Sequence, residues 1–306
     1  MKYVFVINPA AGKENSEDGL LEQLRKRKGL DYEVYYTKAP HDAVDFVIST
    51  CAQRPDEQFC FIGAGGDGTL NEIVNGVARC QNACFGCWPC GSGNDFIKYY
   101  GEVDNAADLD NLLNGHLQEI DLMLINGETY SMNVIDTGFD CVAIENMEKV
   151  RRKPIIGGRN SYTTGIIVAV LAGRHHRGTI SVDGKVLNPK GSFMLATVAN
   201  GTHIGGGYKA APRALADDGL IDVCLITPIS IPRLAALIGY YRKGEHLDNE
   251  KFKKYLSYCQ GRKVEIDAEK SLYIAADGEM MKDTHFTIEI VDKKISFLVP
   301  AGSQRA

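Results

Sequence analysis

The chain has 306 residues, 44% of them hydrophobic and 24% charged, with a formal net charge of -5. That length suits two domains that each bury a core, and the composition excludes disorder as the default. An acidic balance argues against a general nucleic-acid binder, which would be basic.

"YVFVI" at 3–7 reads as a buried strand, aromatic and β-branched. The opening "MKYVFVINP" is too short for a signal-peptide core, and the longest apolar run, within 163–173, falls short of a membrane span. Both point to a cytoplasmic protein. A helix follows from about Leu20 to Lys28, a strand at 31–37, a helix from about Asp42 to Gln53, and a third strand in "QFCFIGA". The glycine-rich "GAGGDG" ends that strand, then come a helix in "TLNEIVNGVA", a strand in "ACFGCWP" and a helix opening in "NDFIKYY". Strands alternating with helices predict a doubly wound, mostly parallel sheet over 1–122. From 123 to 289 the texture is different: short β-rich runs separated by turn residues predict an antiparallel, sandwich-like β domain. Helical stretches at about 143–172 and 231–256 interrupt it.

Three loops of the first half leave the same edge of the predicted sheet. Residues 63–69 hold Gly63, Gly65, Gly66 and Gly68 between a strand end and a helix start, where open α/β sheets bind ligands. Bare backbone N–H groups at a helix N-terminus suit phosphate. Asp67 would repel phosphate unless a divalent cation bridged the two, so the loop suggests nucleotide with Mg²⁺; its plain alternative is only a turn. "NPAAGK" (8–13) offers Asn8, Gly12 and the cation Lys13, and "PCGSGNDF" (89–96) offers Gly91, Ser92, Gly93 and Asp95.

Nine cysteines in a cytoplasmic chain are expected as free thiols. Cys80, Cys84, Cys87 and Cys90 could form a metal or iron–sulfur site, or could be small apolar residues of a strand near Trp88. Strand alternation puts Cys84 and Cys87 on opposite faces, which favours the second reading.

In order along the chain, "NPAAGK", "GGDGTLNE", "GSGNDF", "NGTHIGGGYKAAPRALADDGLIDV" and "ADGE" resemble the diacylglycerol kinase catalytic-domain family, specifically its soluble bacterial lipid kinases. A GGDGT loop alone also looks like phosphofructokinases and NAD kinases; the other motifs favour lipid kinase. The resemblance implies a nucleotide-binding α/β domain over 1–122, completed by about 290–306, and a lipid-acceptor β domain over 123–289. It implies ATP across Asn8, Pro9, Ala10, Ala11, Gly12, Thr37, Gly65, Gly66, Asp67, Gly68, Thr69, Glu72 and Ser92, where most members carry Thr in place of Ser92. It further implies an acid–water–Mg²⁺ network of Asp67, Asp95 and Asp121 with Lys13, a general base at Glu279, and a structural Mg²⁺ on Asp218 with the Leu215 and Leu220 carbonyls. The implied activity is phosphorylation of a diacylglycerol-like lipid hydroxyl in the cleft between the domains. A GGDGT-type kinase with a soluble acceptor and a non-catalytic nucleotide-binding regulator are the alternatives.

A lipid acceptor implies transient, peripheral contact with a membrane surface, by a monomer or homodimer and without nucleic acid. Residues 151–159, 173–178 and 231–244 join basic to apolar side chains and are the candidate contacts.

Overall fold

The computed structural model describes residues 1–11, 18–138, 141 and 175–305. The predicted helical stretch at 143–172 and the basic segment at 151–159 lie outside the described residues, as do Gly173 and Arg174.

The first half alternates as predicted: β1 (Lys2–Ile7), α1 (Asp18–Lys26), β2 (Tyr32–Tyr36), α2 (Asp42–Gln53), β3 (Phe59–Gly65), α3 (Asp67–Val77) and β4 (Ala83–Pro89). β2, β1, β3 and β4 lie side by side in that order, all parallel. Residues of β1 are buried on both faces because helices cover both. Val4 and Val6 pack toward α2 and α3, while Phe5 and Ile7 pack toward α1.

"NDFIKYY" does not open an α-helix. Asn94 sits at φ 50° and spends its side-chain amide on the N–H and C=O of Gly91, so only a 3₁₀ turn forms at Ile97–Tyr99. Two short helices, α4 (Val103–Ala106) and α5 (Leu109–Leu113), lead into β5 (His116–Ile125).

Antiparallel strands dominate the second half: β6 (Thr129–Ser131), β7 (Val134–Gly138), β8 (His176–Val182), β9 (Lys185–Val186), β10 (Ser192–Phe193), β11 (Leu195–Ala199) and β12 (Ile221–Ile226). One helix, α6 (Ile231–Lys243), and three strands, β13 (Leu256–Gly261), β14 (Lys263–Ala276) and β15 (Glu279–Val299), complete the described chain. Residues 231–256 are therefore not one helical stretch. Gly244, at φ 75°, ends α6 in a left-handed cap, and "LSYCQG" becomes the edge strand β13.

The short β-rich runs "KVEIDA" and "SLYIAA" join into one long strand, β14, and "HFTIEIVD" and "ISFLV" into another, β15. A register shift between Asp267 and Leu272 splits β14: its first part pairs with β8 and its last three residues with β7. A bulge of this kind bends a strand so that it serves two layers. Between those layers lies an apolar core including Ile180, Phe193, Val198, Val223, Ile266, Ile274 and Phe286. β15 starts against β14, continues against β5 and ends parallel to β4 with Phe297 opposite Phe85. It ties the antiparallel half to the parallel one. No helix among the described residues is long and apolar enough to cross a membrane.

Phe297 is fully buried, its ring centroid 4.8–5.1 Å from those of Tyr100, Phe85 and Phe96. Phe297→Ala is expected to cost about 3–5 kcal/mol, read as a lower urea midpoint with an unchanged slope.

Candidate active site

The parallel sheet reverses its direction of winding between β1 and β3, and the strand ends flanking such a point are where open α/β sheets take ligands. Asn8 spans it. Its backbone N–H donates to Ala64 O (3.0 Å), its Nδ2 donates to Thr69 Oγ1 (3.0 Å), and its Oδ1 accepts from Ala10 N (3.0 Å). Thr37, just beyond β2, donates its N–H to Ile7 O (2.9 Å). Asn8, Pro9, Ala10, Ala11, Thr37 and Thr69 therefore share one sheet edge. Gly12 and Lys13 lie outside the described residues.

None of the four glycines around Asp67 has a positive φ, and at three of them, Gly63, Gly65 and Gly68, a side chain approaches closely. A β-carbon at Gly63 would stand 2.9 Å from Ile73 Cδ1, and one at Gly65 would stand 2.5 Å from Thr69 Oγ1. The loop after β4 crosses over Gly66: a β-carbon at Gly91 would stand 2.5 Å from Gly66 Cα. Only Gly68 looks toward a functional side chain, with its β-carbon position 3.1 Å from Glu279 Oε1. Gly66 is the N-cap of α3 and no side chain caps it, so the first-turn N–H groups have no partner within the helix.

The crossing loops join two carboxylates. Asp67 Oδ1 accepts from Asp95 N (2.7 Å). The Asp95 carboxylate accepts from Lys98 Nζ (2.9 Å) and, with both oxygens, from Gly206 N (3.1 and 3.0 Å). Lys98 Nζ also donates to Gly93 O (2.6 Å). Burial pushes the Asp67 carboxyl above its usual value, and the Asp95 charge adds to the push. Ser92 lies exposed in the same loop.

Glu279 arrives from the other half. Asp277 and Gly278 form the two-residue turn between β14 and β15, at φ 48° and 93°. The Asp277 carboxylate is buried, accepting from Met132 N (2.9 Å), Asn133 N (3.1 Å), Val134 N (3.1 Å) and Asn71 Nδ2 (2.9 Å). Asn71 belongs to α3, so the turn that carries Glu279 is pinned to the helix that begins at Asp67.

Two predicted site residues bond to other parts of the chain. Glu72 accepts the N–H groups of His41 (2.8 Å) and Ala43 (3.2 Å) and so caps the start of α2. Asp121 does not join Asp67 and Asp95: its two oxygens accept from Gly219 N and Lys293 N, both at 2.7 Å. It holds the turn of Asp217, Asp218 and Gly219 against the last strand at Lys293, where that strand breaks register. In that turn Asp218 Oδ1 accepts from Leu220 N (3.0 Å), and Leu215 is exposed. Burial raises the Asp218 carboxyl, with Asp121 and Asp217 adding like charge.

Among the described residues, no three His, Cys, Asp or Glu side chains gather as a metal-holding group. Cys84 packs with Phe5 and Trp88 on one face of the sheet, and Cys87 packs with Phe61 and Phe85 on the other. Cys84 and Cys87 are therefore alternating residues of β4, while Cys80 precedes the strand and Cys90 follows it.

Residue type alone did not single out Lys98, His203 or Asn71. Lys98 follows Asp95 by three positions, a spacing that could have suggested the pair. His203 has its pKa lowered to about 4 by burial and by the nearby Lys209 and Lys98, so it is neutral at pH 7.

Residues 2–125 match the diacylglycerol kinase catalytic domain, and residues 133–299 match the YegS C-terminal NAD kinase beta sandwich-like domain. The chain belongs to the diacylglycerol kinase family of lipid kinases. It is 26% identical to a diacylglycerol kinase of Bacillus subtilis (strain 168) over 279 residues, 90% of this chain and 88% of that protein. It is 27% identical to a YegS-like protein of Yersinia pestis (strain Pestoides F) over 300 residues, 94% of this chain and 95% of that one. The crystal structure of a diacylglycerol kinase from Bacillus anthracis str. Sterne shares the fold, with a TM-score of 0.67 at 19% identity over 97% of this chain and 96% of that one.

For an acid whose pKa is raised in the folded state, the native protein holds the proton more tightly than the unfolded chain. Its contribution is greatest at low pH and is lost as pH rises from the ordinary 3.8 through the folded value. Asp67→Asn keeps an oxygen for the Asp95 N–H and removes the charge. The ligand-free variant is expected to melt at a higher temperature than the parent at pH 7, with the gap closing toward pH 3.

Proposed function

We propose that this chain transfers the γ-phosphoryl group of ATP to the hydroxyl of a diacylglycerol-like lipid in the cleft between its two halves. The observation that carries this reading is the position of the Glu279 carboxylate, against Gly68 in the first turn of α3. Phosphoryl transfer to an alcohol needs charge neutralisation, alignment and an acceptor for the hydroxyl proton.

The uncapped start of α3 suits a phosphate, and Asn8, Thr37, Thr69 and the backbone of 8–11 border the same edge. Lys98 adds a cation among the acids. Asp67 is the residue to hold Mg²⁺, directly or through water: it is a buried acid beside a second acid, a setting that favours a cation. When bound with nucleotide, Mg²⁺ supplies charge neutralisation at the phosphate oxygens. Glu279 takes the proton as the alcohol oxygen bonds to the γ-phosphorus and the bond to ADP breaks. Away from this cleft, Asp218 with the Leu215 and Leu220 carbonyls offers one carboxylate and two neutral oxygens, a set suited to a hydrated Mg²⁺.

For the lipid surface we infer a role for α6. Leu237 and Tyr241 are buried beneath it, while Arg233, Ala235, Ala236, Ile238, Gly239, Arg242 and Lys243 are exposed. An apolar face with a basic end suits an anionic interface.

Glu279→Gln is expected to fold normally and to lose about 10²–10⁴ in turnover, measured with labelled ATP on extracted lipids. Turnover near that of the parent would remove Glu279 as the base. In the same assay NAD and fructose 6-phosphate are expected to remain unlabelled; labelling of either would favour a soluble acceptor. Reversing the charges of Arg242 and Lys243 is expected to reduce flotation with phosphatidylglycerol vesicles, and unchanged flotation would remove α6 as the contact.

A further inference from the structure

Two members of the cysteine run lie beside cysteines from distant positions in the chain. Cys84 of β4 lies in register with Cys60 of β3. Cys80, just past the end of α3, is a close neighbour of Cys51 near the end of α2, both against the same core.

The second pairing follows from the way the two helices cross. Gly76 lets α3 approach α2 very closely: a β-carbon there would stand 2.7 Å from Val47 Cβ. One helical turn further along each chain segment come Cys80 and Cys51. Both pack against the same core, and Cys80 Sγ also donates to Gly76 O (3.4 Å). The two pairs differ in access. Cys60 is 0% and Cys84 5% exposed, sealed in the sheet interior, whereas Cys80 is only half-buried.

We propose that Cys51 and Cys80 are a modification site, a thiol pair that closes to a disulfide when the protein meets a peroxide. Cys80 is the sulfur a small oxidant reaches. Its thiolate attacks a peroxide oxygen, the O–O bond breaks, and hydroxide leaves, giving the sulfenic acid. The Cys51 sulfur then attacks the Cys80 sulfur and displaces the hydroxyl, which leaves as water with the Cys51 proton. Overall, two thiols and one hydrogen peroxide give one disulfide and two waters. Burial and the neighbouring Cys80 raise the Cys51 pKa to about 12, which makes this second step slow at neutral pH and faster as pH rises. The bond would staple the far ends of the two helices whose near ends meet at Glu72 and the α2 start. This inference does not depend on the lipid kinase reading.

The test uses the full-length chain, treated with hydrogen peroxide, blocked with an alkylating reagent and mapped by mass spectrometry without reductant. The expected product has lost two hydrogens and yields a peptide cross-linked between Cys51 and Cys80. Dithiothreitol reverses it, and it forms faster at pH 9 than at pH 7. Oxidation is expected to raise the melting temperature by on the order of 5 °C, the effect of closing a loop in the unfolded chain. Cys51→Ser and Cys80→Ser each abolish the cross-link, and Cys84→Ser leaves it. Oxygen added to Cys80 with no cross-link in the parent protein would overturn the proposal. So would a disulfide that still forms in Cys80→Ser, because the bond then joins other cysteines.

Discussion

The geometry of the candidate site hangs on the carboxylate of Asp277, a wholly buried acid whose four hydrogen-bond donors are all neutral. Burying a charge costs several kcal/mol, and a hydrogen bond to a charged group contributes roughly 1.5–3 kcal/mol, so four such bonds are of the size needed to offset the burial. The balance is close, since burial still pushes the carboxyl above its ordinary value despite those donors. In return the turn at 277–278 is tied at once to α3 through Asn71 and to the start of β7 through the N–H groups of Met132, Asn133 and Val134. Glu279 follows within two residues, so its backbone is held beside the start of α3. A shorter or purely apolar side chain at 277 would leave three backbone donors and one amide buried without acceptors.

Strand β15 makes that pinning matter across the molecule. It begins at Glu279, beside the start of α3, and ends at Val299, inside the parallel sheet, with a break in register between Val291 and Ile295. A strand with its first residue in one half and its last in the other ties the halves together. The Asp95 contact to Gly206 and the Asp121 contacts to Gly219 and Lys293 reinforce it. The residues of the candidate site are therefore held from both halves of the chain.

The regular alternation of the first half was legible because buried parallel strands and amphipathic helices repeat a local pattern. α2 begins and ends where its residues predict, at Asp42 and Gln53. The three converging loops were legible for the same reason, since each follows a strand of one parallel sheet. Partnership was not. Glu72 lies in the GGDGTLNE motif and has the right charge for a nucleotide site, yet its carboxylate turns to α2, a segment about thirty residues earlier in the chain. Asp121 likewise has acid chemistry suited to a catalytic network, but the turn it holds lies almost a hundred residues further on. The glycines gave a half-legible signal. Their density announced close approach, but at Gly63 and Gly65 the approaching atoms are the chain's own Ile73 and Thr69, and where the loops cross at Gly66 it is Gly91 that must lack a β-carbon. Edge strand β13 was missed because "LSYCQG", half-exposed and polar, lacks the alternation that marks a strand with one buried face.

The charges of the candidate site are unevenly compensated. Asp67 and Asp95 are adjacent, Asp277 lies close enough to add to the burden on Asp67, and Glu279 faces the same helix start. Against these stand Lys98, bonded to Asp95, and a histidine kept neutral by its own surroundings. A folded protein seldom concentrates buried acids unless another interaction compensates them, because each adds to the cost of the next. The fold tolerates the excess at this edge because Asp277 is satisfied by backbone and Asp95 by Lys98 and Gly206. Asp67 alone is left with a single N–H donor and two acidic neighbours. The least compensated carboxylate is thus the one at the mouth of an uncapped helix, where a phosphate and a cation can enter together and each reduces the electrostatic cost of the other.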